Sequence, residues 1–242
     1  MFWSRKIKSP ISKEDEDYIE SSFEWILESF TDRILLNEII FPNEFEPFKN
    51  KNDVYNIFIL LCERMSIDSS KIKILFYNER KQIELDGSLI TEFSEETELT
   101  TGKYIQNDKK EVEIWIVESK LRNLQSLLAT LAHELSHFKL LYEKRLLEND
   151  EYLTDILTVF YGLGIYGANS SIAKMNTWST SSGSGWQVSG AEGYLHFKVW
   201  AYTLAKYAIL RNDLECKWKE LLVPDVKREF EKSIKYLTKD EN

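Results

Sequence analysis

Two of the three histidines in this chain lie four residues apart, on a segment whose apolar residues recur at helical spacing. The segment runs from Thr130 to His137 and reads TLAHELSH, so His133 is followed directly by Glu134. Residues i and i+4 share one face of a helix, and both imidazoles can therefore reach one metal ion. Small residues are expected on that face, namely Ser126, Ala129 and Thr130. The opposite face carries a stripe of larger apolar residues, Leu124, Leu128, Leu131, Leu135, Phe138 and Tyr142.

A third metal ligand is expected downstream, because a catalytic zinc ion takes three protein ligands and keeps one position for water. Glu151 and Asp155 lie four residues apart at the start of the next predicted helix. We assign Glu151 as the third ligand. Asp155 is then expected to accept the outer N–H of a ligand imidazole, that of His133. Two alternatives remain open: Asp155 is itself the ligand, or these acidic residues only favour a helix N-terminus.

The order of predicted elements is helices, then strands, then helices, which is typical of an α+β fold with one core. Apolar spacing predicts helices over 15–38, 53–65, 121–147, 152–166, 191–210 and 213–237, with Asp53 as an N-cap. Alternation predicts strands over 71–78, 82–86, 103–106 and 111–118. A turn is expected over 107–110, and loops over 90–102 and 169–190. We expect one domain over 1–242, with helices and a small antiparallel or mixed sheet in 1–118 and a mostly helical half in 119–242.

Composition and charge exclude several classes of protein. The chain has 31 Lys and Arg against 40 Asp and Glu, a net charge of −9, which disfavours binding to nucleic acid or to an anionic membrane. The longest mostly apolar run, 156–168, is too short to span a bilayer, and residues 1–17 lack the apolar core of a secretory signal. Cys62 and Cys216 carry no CxxC spacing, so two reduced thiols in a cytoplasmic protein are expected.

The HExxH motif with Glu151 and Asp155 resembles the gluzincin pattern, which thermolysin and the prenyl-protein (CAAX) processing proteases share. The motif together with 153–165 and 168–170, and with Phe41-Pro42 upstream and Gly193-Tyr194-Leu195 downstream, is similar to a set of uncharacterised bacterial proteins with zinc-protease signatures, over about half of the chain. The resemblance implies a zincin-like fold, with the Glu of ExxxD as a zinc ligand and the Asp supporting a histidine. The 14-residue step from His137 to Glu151 is shorter than in thermolysin-type enzymes.

These residues predict a zinc-dependent hydrolase, a peptidase that acts on a peptide or protein. Zinc lowers the pKa of its bound water to about 7 and polarises the scissile carbonyl. Glu134 would act as the general base. Tyr194 and His196 are candidate donors to the oxyanion, as are Tyr161 and Tyr166. For each of the three tyrosines core packing is the simpler interpretation, and for His196 a surface position is.

Two segments outside the motif are candidates for substrate handling. The strand over 111–118 is expected to be a sheet edge that pairs with an extended peptide. The loop over 176–190 could act as a lid, because it is rich in Gly and Ser and contains Trp178 and Trp186.

Two other functional classes remain open. The chain could bind zinc without proteolysis and serve a regulatory or interaction role, although structural zinc sites fill all four positions and are richer in cysteine. It could also be a helical interaction protein that binds no metal. Zinc content separates the last hypothesis from the others, and Glu134→Gln separates the enzyme from the zinc-bound regulator.

Overall fold

The computed structural model describes residues 8–30, 34–35, 37–45, 51–77, 102–106, 111–118, 121, 123–172, 174–180, 183–189 and 194–239. Over these residues the chain is α+β and mostly helical, with seven α-helices, a three-stranded mixed sheet and a two-stranded hairpin. The predicted α+β class and mixed sheet are confirmed, whereas the zincin-like fold stays a prediction. The chain divides into two compact units, residues 41–149 and residues 1–40 with 150–242. The prediction of one domain over 1–242 stays a prediction.

The unit over 41–149 contains two helices and the three-stranded sheet. Its elements are α2 (Lys51–Arg64), β1 (Ile72–Tyr77), β2 (Gly102–Gln106), β3 (Val112–Val117) and α3 (Leu124–His137); α1 belongs to the other unit. The strand order is β1-β3-β2, with β3 parallel to β1 and antiparallel to β2. Ile72 lies opposite Val112, and Gly102 lies opposite Ile116.

Apolar periodicity explains α2 and β3. In α2, Val54, Ile57, Phe58 and Leu61 are buried, which is the i, i+3, i+4, i+7 spacing of one helix face. In β3, the buried residues Val112, Ile114 and Ile116 alternate with half-buried ones, as expected of a strand with one face in the core. Asp53 was predicted as the N-cap of α2, but the helix begins at Lys51 and Asp53 lies in its first turn.

Helix α3 is buried over most of its length, and it ends earlier than predicted. Asn123 caps its N-terminus, where its side chain accepts a hydrogen bond from the backbone N–H of Ser126. After His137 the helix widens into a π-helical turn, Phe138–Tyr142. The predicted end at residue 147 is wrong, because Lys144 adopts a left-handed backbone (φ 56°) that a right-handed helix cannot include.

The other unit is built from five helices and the hairpin. The helices are α1 (Lys13–Ser29), α4 (Glu151–Phe160), α5 (Gly164–Ser170), α6 (Phe197–Leu210) and α7 (Pro224–Leu237). Helix α6 contacts α4, α5 and α7, while α1 contacts α4. The core of this unit contains many large aromatic side chains, among them Phe160, Tyr166, Trp200, Tyr202, Tyr207 and Phe230.

Four helix boundaries in this unit differ from the prediction. The segment 152–166 is two helices, because the chain turns at Gly162, whose φ of 77° suits glycine. The segment 213–237 is a 3₁₀ turn, Lys217–Leu221, followed by α7, whose first residue is Pro224. Helix α1 ends at Ser29, because Phe30 takes an extended backbone, and α6 begins at Phe197.

The loop predicted over 169–190 is a β-hairpin instead. Strands β4 (Lys174–Thr180) and β5 (Gly183–Ser189) pair antiparallel, and Lys174 lies opposite Ser189. The Ser and Gly content suggested a loop, but the register places Thr177 opposite Trp186 and Met175 opposite Val188. The Thr, Val and Trp residues of this segment have a high strand propensity, which its Ser and Gly content concealed. A lid function for this segment stays a prediction.

The strand over 111–118 was predicted to be a sheet edge, and this is wrong. It forms β3, which lies between β1 and β2 and pairs with both, so its backbone groups are used within the sheet. The strand over 71–78 and that over 103–106 are confirmed as β1 and β2. The predicted strand over 82–86, the turn over 107–110 and nearly all of the loop over 90–102 lie outside the described residues.

In the described part of the chain, no helix combines the length and apolar character needed to cross a membrane. Cys62 and Cys216 are both buried and free, in agreement with the prediction of reduced thiols.

Gly167 packs so closely against Trp200 that a larger residue has no room. A Cβ atom built at Gly167 would lie 2.6 Å from the Trp200 ring. We expect Gly167→Ala to lower the free energy of unfolding by about 1–3 kcal/mol through overpacking, measured by urea denaturation. Combining it with Trp200→Phe should recover part of that loss, relative to Trp200→Phe alone. Equal additive losses in the double variant would contradict the proposed clash.

Candidate metal centre

The two histidines of α3 face each other closely. Their Nε2 atoms are 3.0 Å apart, and their ring centroids are 4.7 Å apart with the planes nearly perpendicular. His137 is buried and His133 is half-buried. Two nitrogens about 2.0–2.1 Å from a tetrahedral zinc ion are about 3.3 Å apart, so this separation is close to that of two ligands on one ion.

Glu134 lies between the two histidines in sequence and is 5% exposed. At 100° per residue its side chain projects beside the histidines and not on the opposite side of α3. A carboxylate in this position is next to the point on which the imidazoles converge without having to be a ligand. The helix therefore presents two imidazole nitrogens that could hold a metal ion and a buried carboxylate on a neighbouring part of the same face.

Glu151 joins the two histidines in a group that could hold a metal ion. One ligand atom from each of His133, His137 and Glu151 lies within 4.8 Å of the others. Glu151 is the first residue of α4 and is half-buried. It follows Asp150, whose side chain caps α4 by accepting from the Leu153 N–H and also accepts from the Tyr18 hydroxyl. This capping fixes where the helix starts, and so fixes the backbone that carries Glu151.

The donor set fits a zinc ion. Two imidazoles and one carboxylate are a ligand set of catalytic zinc sites, in which the fourth position takes water. These are the three residues that the sequence predicted, and they form a group that could hold a metal ion; their role as ligands stays a prediction. The identity of the metal stays a prediction.

Asp155 has a different set of contacts from the one predicted. Its Oδ2 atom accepts hydrogen bonds from two consecutive backbone N–H groups, those of Tyr194 at 2.9 Å and Leu195 at 3.2 Å. Asp155 is 3% exposed, so these charge-assisted bonds are shielded from water. The carboxylate therefore holds the chain just before α6. Its predicted bond to His133 stays a prediction.

Tyr194 and His196 lie together beside a pocket, although both side chains are exposed. The pocket has a volume of about 340 Å³, and its lining includes Asp15, Tyr152 and Lys198. His196 is the N-cap of α6, where its Nδ1 atom accepts from the Lys198 N–H at 3.4 Å. A role for either residue as an oxyanion donor stays a prediction.

Tyr161 and Tyr166 have the packing roles that their sequence context favoured. Tyr166 is buried, and its hydroxyl donates to the carbonyl of Ile40 at 2.8 Å. Tyr161 is buried, and its ring lies edge-on to that of Phe30. Both side chains therefore stabilise the helical unit.

Sequence reasoning missed Tyr104, which lies on β2. Its ring centroid is 5.8 Å from that of His137, with the planes tilted by 37°. Burial, and to a smaller extent the neighbouring Tyr142, raises the pKa of Tyr104 to about 12. Its hydroxyl therefore stays protonated at neutral pH, and it donates a hydrogen bond to Oε1 of Gln106 at 3.3 Å. The two rings come from segments 33 residues apart in sequence, and only the pairing of β2 beside α3 brings them together.

Comparison with protein-family models, with curated proteins and with solved structures finds no match. The fold and the site therefore define the class of protein without a relative: it is an α+β protein with a His-His-Glu group that could hold a metal ion.

The clamp formed by Asp155 gives a stability prediction that is independent of any metal. Asp155→Ala leaves the N–H groups of Tyr194 and Leu195 without this acceptor, and we expect a loss of at least about 2 kcal/mol in unfolding free energy. Asp155→Asn is the matched control, because it keeps an oxygen acceptor and should lose less. Thermal and urea denaturation of the metal-free protein measure both losses. A metal-free Asp155→Ala protein as stable as wild type would contradict the clamp.

Proposed function

We propose that this chain is a zinc-dependent hydrolase, most simply a peptidase, that uses Glu134 as its general base. The observation that carries the proposal is the 3.0 Å approach of the His133 and His137 nitrogens on a helix whose next face holds the buried Glu134. The grouping of Glu151 with the two histidines supports a third ligand. An HExxH helix with a third carboxylate ligand is an arrangement that zinc hydrolases use.

Each residue has a separate role in this proposal. His133 and His137 bind as neutral imidazoles, and Glu151 adds a negative charge that balances part of the charge of the ion. When bound, zinc lowers the pKa of its water ligand and polarises the substrate carbonyl. Glu134 would take a proton from the attacking water and deliver it to the leaving amine, a role that requires it to lie near the ligands but not among them.

The substrate would be an extended peptide in this proposal, and β2 replaces β3 as the strand that it pairs with. In the described sheet β2 lies at an edge and contacts α3, whereas β3 is central. A peptide added to β2 would run beside the helix that carries the histidines. The ring of Tyr104 on this strand lies 5.8 Å from that of His137, so Tyr104 joins Tyr194 and His196 as a candidate donor to the oxyanion, for which its hydroxyl would exchange its bond to Gln106.

Zinc content is the direct test of the metal centre. We expect about one zinc ion per wild-type chain by elemental analysis of untagged protein, a catalytic site holding one ion. His133→Ala and Glu151→Ala should lose most of it, because two protein ligands rarely hold zinc against buffer. Glu148→Ala is a matched control, an exposed glutamate three residues from Glu151. Loss of zinc in Asp155→Ala with retention in Glu151→Ala would transfer the ligand role to Asp155, and an empty wild-type protein offered zinc would refute the proposal.

Activity is tested through Glu134. Glu134→Gln should keep its zinc and lose turnover of peptide substrates by a factor of about 10²–10⁴, the usual contribution of a general base. The substrate search uses a peptide library with mass-spectrometric detection of new termini, and Glu134→Gln serves as the inactive control. Cleavage that is equal in both proteins would exclude Glu134 as the base. Zinc binding without any cleavage that depends on Glu134 would instead favour a regulatory zinc protein.

A further inference from the structure

One hydroxyl on the metal-binding face of α3 has no hydrogen-bond partner. Thr130 is 4% exposed, and its Oγ1 atom is one of the buried side-chain polar atoms that find no partner among the described residues. An unsatisfied buried hydroxyl is unfavourable by about 1–3 kcal/mol, so such groups are rare without a function or a bound molecule.

The absence of a partner is unexpected, because Thr130 lies in a helix. A Ser or Thr side chain in a helix can donate to the carbonyl three or four residues earlier. Other buried helical hydroxyls in this chain do so at 2.7–2.8 Å, namely those of Ser136, Thr158, Thr203 and Ser233. Among the described residues, the hydroxyl of Thr130 is bonded neither to the carbonyl of Ser126 nor to any other group. It is therefore available to a molecule that the protein binds.

The position of Thr130 on α3 indicates that the molecule it bonds is one bound at the candidate metal centre. Thr130 precedes His133 by three residues, Glu134 by four and His137 by seven, so all four side chains project within about 100° of the helix circumference. Thr130 falls between the histidines and Glu134 in that arc, one turn towards the N-terminus. Side chains on a helix also lean towards its N-terminus, which brings the imidazoles towards Thr130.

We propose that the Thr130 hydroxyl is a binding group of the candidate metal centre, which hydrogen-bonds an oxygen atom of the molecule bound there. In the resting protein that molecule is water, and during turnover it is the peptide substrate. The inference rests on the proposed function, because it requires a ligand on this face of α3. It adds a neutral hydroxyl to the charged groups already assigned, and so favours a ligand with an oxygen acceptor or hydroxyl beside the atom that zinc holds.

The test uses acetohydroxamate, a small chelator that binds zinc through its oxygen atoms, with the zinc-loaded full chain. Thr130→Val replaces the hydroxyl by a methyl group of similar size, and Thr130→Ser keeps the hydroxyl. We expect Thr130→Val to weaken acetohydroxamate binding about three- to tenfold, the loss of one net hydrogen bond, and Thr130→Ser to bind like wild type. Isothermal titration calorimetry measures the three affinities.

Two further measurements separate this role from a structural one. Zinc affinity should be the same in the three proteins, because Thr130 is not a ligand. Metal-free Thr130→Val should be at least as stable as wild type, because it removes a buried hydroxyl that has no partner. Wild-type acetohydroxamate affinity in Thr130→Val, or a lower melting temperature of its metal-free form, would overturn the inference while leaving the zinc site intact. A wild-type chain that binds no zinc would remove the proposed function as well.

Discussion

The convergence of two imidazoles on a mostly buried helix is the constraint on which the candidate site depends. Burying a polar or charged group is unfavourable unless other groups compensate for the lost water. Helix α3 buries His137, Glu134 and Thr130 on one face and the leucine stripe on the other. A divalent cation would offset this cost, because it draws the imidazole nitrogens together and balances the charges of Glu134 and Glu151. The proposed metal ion would therefore account both for the approach of the two imidazoles and for the burial of polar side chains on α3.

Helix α4 carries both a candidate ligand and part of the lining of a pocket. Its first residue is Glu151, and Asp155 follows one turn later. Asp155 holds the backbone of Tyr194 and Leu195, which leads into the N-terminus of α6. Tyr152, on the same helix, lines the pocket beside Tyr194 and His196. In the proposed enzyme this pocket, which adjoins the helix of the third ligand, is a natural place for part of the substrate.

The sequence was most informative where a few local residues determine the outcome. The HExxH spacing by itself places two histidines on one face of a helix, and the ExxxD spacing in the following helix supplied Glu151. Sequence was least informative where the outcome depends on pairing between distant segments. The central position of β3 and the approach of Tyr104 to His137 follow from strand order, which no local pattern specifies. The hairpin over 174–189 was missed because Ser and Gly content was given more weight than β-branched and aromatic residues.

The cysteines help to distinguish a catalytic from a structural zinc site. Cys62 and Cys216 are both buried and free, and neither belongs to the group of His133, His137 and Glu151. The described residues that form a group able to hold a metal ion are instead two histidines and one glutamate. Three ligands leave a tetrahedral ion with a position for water, whereas a structural site fills all four. A zinc ion held by this group would therefore be exposed to water and substrate, with Glu134 beside it and the hydroxyl of Thr130 one helical turn away. That is a chemically reactive arrangement, and it is why the hydrolase is preferred here over a zinc ion that only stabilises the fold.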